Sequence, residues 1–139
     1  MHECALAAAR AGRAEEAAEY VAAAAVAAHR DPVVIGRWHA PAASGDVTLV
    51  AGDPAGARER YREALALATD ITAERGHSLP AAMCLVASEL RLAQAATDRE
   101  TALAHARAGL EHARASGAPG GVGAARMVVQ QLEAAVAAE

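Results

Sequence analysis

Apolar and small residues along this chain recur at helical steps, and one such pattern occurs three times. Gly12-Arg13 leads to Ala17, Val21, Ala24 and Ala25; Gly52-Asp53 leads to Ala57, Tyr61, Ala64 and Leu65; Thr97-Asp98 leads to Ala102, Ala106, Gly109 and Leu110. Each copy follows a turn with small or apolar residues at i, i+4, i+7 and i+8, which puts one stripe on one helix face. The anchors Ala17, Ala57 and Ala102 stand 40 and 45 residues apart. A unit of this length that cannot bury its own apolar stripe must stack on its neighbours, so the pattern predicts a unit copied along an axis.

The breakers divide the chain into seven helical segments. Residues 2–11 stop at Gly12, and residues 14–29 stop near Asp31-Pro32, a cap and first-turn proline for the next segment. Residues 33–50 contain Pro41 and Gly45, which predicts either a short helix at 33–39 followed by one at 41–50, or a single kinked helix. Gly52-Asp53-Pro54 is a turn with Asp53 as cap and Pro54 at the first helical position of a helix reaching about Ile71. The stretch from Gly76 to Pro80 breaks the chain, residues 80–96 form the next helix, and Thr97-Asp98 cap a helix at 99–115. Ser116 to Gly121 ends that pair. The last segment, 122–138, places Val122, Ala125, Val129, Leu132 and Val136 on a narrow apolar seam that covers the end of the stack.

Composition narrows how such a stack is held. The chain of 139 residues has no phenylalanine, and Trp38, Tyr20 and Tyr61 are its only aromatics. Alanine makes up close to a third of it. Alanine has the highest helix propensity and lets helix axes approach near the short end of the usual range, so stability is expected from many close small contacts. Every apolar stretch is interrupted by charge before it could span a bilayer. The start, Met1-His2-Glu3-Cys4, lacks the basic and apolar regions of a signal peptide, which points to the cytoplasm. Cys4 and Cys84 form no CxxC pair and are expected to be reduced.

Charge argues against nucleic acid. The net charge is −4 and all 13 basic residues are arginine. Arg58, Arg60 and Arg62 alternate with Glu59 and Glu63, which reads as a solvated helix face and not a phosphate-binding stripe.

The turn-and-stripe units resemble the tetratricopeptide repeat family. Gly52-Asp53, the small Ala57, the aromatic Tyr61 and Ala64-Leu65 match the second helix of such a unit, and Gly45 falls on the family's glycine in the helix before it. The match is strong over 52–68, fair over 97–113 and thin over 12–28. The spacing exceeds the family's 34 residues, which resembles the longer units of regulators and sensor proteins from actinobacteria, and Leu90 stands where the third unit should have glycine. The resemblance implies an all-α superhelix of antiparallel helix hairpins in a single domain, 1–139. Its repeats would lie at about 1–30, 33–75 and 76–116, with a capping helix at 122–138.

It also implies a concave groove for an extended peptide or partner helix. By register, that groove is lined by His2, Leu6 and Arg10, then by His39, Asp46, Leu49 and Val50, then by Cys84, Ala87, Arg91 and Gln94, with Trp38 beside His39. Lysines and asparagines of the chaperone carboxylate clamp are absent from these positions. The first repeat begins with its helix already under way, so the N-terminal face around Leu6 and its neighbouring alanines is expected to meet a second copy or upstream sequence of a longer regulator.

Reactive chemistry is sparse. His105 and His112 are seven residues apart, roughly 10 Å along a helix, too far to chelate one metal unaided. No HExxH or zinc-spaced Cys/His cluster occurs, and no metal or cofactor is expected. Ser44, Ser78, Ser88 and Ser116 lack nucleophile-elbow glycines, and Cys84 has no histidine in helical register. Gly117 to Gly123 lacks the lysine and preceding strand of a phosphate loop and reads as a turn. The expected function is therefore non-enzymatic binding of a protein or peptide. The alternative is a sensing domain with a small-molecule pocket near Trp38 and His39, where the indole could stack on a ligand and the imidazole titrate near neutral pH.

Overall fold

The structure, a computed structural model, describes residues 2–30, 35–76, 78–117 and 119–139. Asp31-Pro32, the expected helix start at 33, and the side chains of Ala24 and Ala25 lie outside the described residues. Among the described residues the protein is all-α, with seven helices and no strand: α1 His2–Arg10, α2 Ala14–Arg30, α3 Ile35–Val50, α4 Pro54–Arg75, α5 Leu79–Ala95, α6 Arg99–Ser116 and α7 Pro119–Ala137. None of these is long and apolar enough to cross a membrane. The chain forms two compact units, residues 1–67 and 68–139.

Turn chemistry explains the boundaries. After α3, the Gly52 N–H donates to Leu49 O and the Asp53 N–H to Thr48 O, with Gly52 at φ +90°. These paired bonds satisfy the last carbonyls of the helix and need the left-handed backbone that glycine adopts without strain. Asp53 then caps α4 by accepting the Gly56 N–H at 2.9 Å, and Pro54 takes the first helical position. The same two bonds recur where Gly12 and Arg13 close α1 onto Ala9 and Ala8. The third turn has no glycine and folds differently. Ala96 leaves α5 in extended backbone, and Asp98 caps α6 through the Thr101 N–H at 2.7 Å.

One boundary settles an open alternative and another departs from expectation. Residues 35–50 form one helix with Pro41 in its interior, the single-helix alternative; the proline gives up one intrahelical donor there, and its neighbours Ala42 and Ala43 are buried. The glycine run is not an extended turn: Gly117 alone, at φ +67°, closes α6, and Pro119 opens α7 with Gly120, Gly121 and Gly123 inside the helix. Proline at the first helical position presets φ and gives up a donor that would be unpaired anyway.

In the first unit α1 packs on α2 and α3, and α2 on α3. Ala8, Ala9 and Ala17 form a small cluster with Tyr20 and Val47 against it. Ala5, Ala8 and Ala9 are buried, so these three alanines are turned inward, while Ala7 is exposed and Leu6 half-buried. In the second unit α6 packs between α5 and α7. Ala102, Leu103, Ala106, Leu110, Ala125 and Val129 form its core.

The three anchors Ala17, Ala57 and Ala102 are all buried. Around the last two, the large and small residues change places. Gly45 of α3 faces the fully buried Tyr61 of α4. In the second unit the corresponding positions hold Leu90 on α5 and Ala106 on α6, with Gly109 one turn further leaving room beside Leu90 and Glu89. The large residue thus comes from α4 at one crossing and from α5 at the other, a rearrangement of the kind that close-packed interiors tolerate.

Candidate functional site

Gly45 places its neighbour Asp46 where three helices meet. The Tyr61 hydroxyl donates to Asp46 Oδ1 at 2.7 Å, and His2 Nε2 lies 3.2 Å from Asp46 Oδ2. The His2 ring stands edge-on to that of His39, centroids 5.4 Å apart, and the Trp38 ring is tilted against His39 at 6.2 Å. His2 and Asp46 side chains are only 22% and 16% exposed. The enclosed carboxylate accepts the Tyr61 hydroxyl on one oxygen and has the His2 imidazole beside the other. His2, Trp38, His39 and Asp46, expected along a groove, are thus gathered into one polar knot that fastens α1, α3 and α4. The phenol proton is committed to the carboxylate and Tyr61 is fully buried.

Other expected residues of the first unit open onto a cleft of about 700 Å³ between α2 and α3. Arg10 and Val50 both line it, together with Ala14, Ala18, Val21 and Val47. Leu49 is half-buried. Trp38 is buried, and neither it nor His39 lines this cleft.

The second unit carries the α5 residues. Cys84 is buried, and desolvation pushes its thiol pKa up, which disfavours the thiolate needed for nucleophilic or redox chemistry. Its carbonyl accepts the Ser88 hydroxyl at 2.7 Å. Arg91 reaches back to the Ala87 carbonyl at 3.4 Å, and Gln94 is exposed. Both cysteines are free thiols. Ala87 lines a second cleft, about 570 Å³, with Leu79, Met83, Val86 and Leu90 along α5 and Ser116, Gly117, Gly120 and Gly121 opposite. Leu79 and Met83 are 52% and 59% exposed.

One polar pair was not anticipated. Glu89, 7% exposed, meets His105 Nδ1 at 2.8 Å across α5 and α6. The signal was present: Glu89 falls four residues after Leu85 and three before Leu92, on the apolar stripe, where a charge implies a partner. Pairing His105 with His112 along one helix missed the partner on the next.

No three His, Cys, Asp or Glu side chains among the described residues are grouped to hold a metal. The architecture is that of an all-α protein built from helix hairpins. No family model matches the chain, and no curated protein or solved structure is significantly similar to it.

Proposed function

We propose that this protein is a non-enzymatic protein- or peptide-binding module of the tetratricopeptide-like class, acting in a regulatory or scaffolding system in the cytoplasm. The observation that carries this reading is the α5 face, where Leu79 and Met83 stay more than half exposed beside an apolar cleft. Large apolar side chains grouped at the surface are a mark of interaction sites. The interlock of Gly45 with Tyr61, at positions the repeat family uses for its own helix crossing, adds support. The polar clusters support it too, since each is engaged in fastening helices.

The test is capture from a native lysate, comparing the parent chain with Leu79→Ser/Met83→Ser. Both sites are exposed, so folding should survive, as circular dichroism would verify. A partner held by the parent and lost by the double variant supports the reading. Equal retention by both would place the interaction elsewhere.

A further inference from the structure

The cleft of the first unit has a chemistry distinct from that of the α5 face. Its α2 wall presents Ala14, Ala18 and Val21, and its α3 wall Val47 and Val50. These are aliphatic methyls; Ser44 and Thr48 also line the cleft, with the Thr48 hydroxyl donating to the Ser44 carbonyl at 2.7 Å, and no aromatic ring lines it among the described residues. At about 700 Å³ the space is of the size that holds small molecules.

Among the described residues, two charged ones line it. Asp53 is engaged as the α4 cap, with its Oδ1 on the Gly56 N–H at 2.9 Å. Its charge is further offset by the helix N-terminus it caps. Arg10 is the sole cation in the lining, and no hydrogen bond or ion pair engages its guanidinium among the described residues. It contrasts with Arg13, paired with Glu16 at 2.5 Å just beyond the turn. A guanidinium presents a planar fork that matches a carboxylate bidentately. One unengaged cation at the rim of an aliphatic cleft is complementary to a single negative charge on an aliphatic body.

We infer that this cleft is a binding site for a small aliphatic carboxylate, an acyl chain lying between α2 and α3 with its carboxylate on Arg10. This goes beyond the proposed partner binding, uses none of the α5 residues, and stands or falls separately from it.

Calorimetric titration of the full chain with decanoate and with decanol tests the assignment. Decanoate should bind saturably, and decanol about tenfold more weakly because it cannot form charge-assisted bonds. Arg10→Gln should weaken decanoate about tenfold and leave decanol unchanged, while Ala18→Trp, at an exposed wall position, should abolish both. Circular dichroism and the thermal melt verify that each variant is folded. Failure of decanoate to saturate, equal decanoate binding by Arg10→Gln, or full binding by Ala18→Trp would each overturn it.

Discussion

Gly45 of α3 lies directly against the ring of Tyr61 on α4, so close that a Cβ at Gly45 would sit 2.5 Å from Tyr61 Cδ1. The aromatic ring occupies the space a side chain would need, and its hydroxyl then reaches Asp46 one residue along. Gly45→Ala should therefore overpack the crossing and cost about 1–3 kcal/mol. Shrinking the opposing residue as well should recover part of that loss, as the second unit does with Leu90 opposite Ala106. Denaturant melts of Gly45→Ala, Tyr61→Leu and the double variant would show a favourable coupling; additive losses would contradict the contact.

Asp46 joins the same crossing to α1. Tyr61→Phe removes the hydroxyl that donates to a carboxylate, a bond whose loss costs about 1.5–3 kcal/mol. In an Asp46→Ala background the same substitution should cost clearly less, because the acceptor is already gone. The double-mutant cycle, read by chemical denaturation, measures the difference.

The two thiols should differ sharply in reactivity. Cys4 is exposed, whereas Cys84 is buried and its pKa is raised by desolvation. A chromogenic disulfide reagent should modify Cys4 rapidly in the native protein and Cys84 only on unfolding. Two equally fast thiols would contradict the burial of α5's inner face.

Asp98 should make α6 sensitive to acid. Its carboxyl is held below its ordinary value of 3.8, first by the backbone N–H of Thr101 and then by that residue's hydroxyl. A depressed folded-state pKa gives stability that is complete above the unfolded value and is lost as pH falls through the folded one. Asp98→Ala should therefore lower the melting temperature at neutral pH, and the gap to the parent should close progressively below pH 3.8. A gap independent of pH would mean that the carboxylate charge plays no part in the cap.

Much of the architecture was legible because local chemistry decides it. Gly52-Asp53-Pro54 specifies a helix stop, a cap and a start within three residues, and the structure uses each. The stripe running from Ala102 to Leu110 is likewise buried. Less legible were features decided between helices. Pro41 left one helix and two equally open in sequence, and α3 runs through it as one. Asp46, His2 and Tyr61 are spread over the chain, and no spacing rule brings them together; only the register of three packed helices does. Glu89 and His105 escaped for the same reason.

The central claim, that the α5 face receives a protein or peptide partner, is tested most directly at Met83. The chain has three methionines, so selective methyl labelling yields a spectrum simple enough to assign by substitution. On titration with the partner captured by the parent chain, the Met83 methyl signal should shift or broaden in step with binding, and more than that of Met127, which is similarly exposed on α7. Saturable binding that leaves the Met83 signal unmoved would contradict the account.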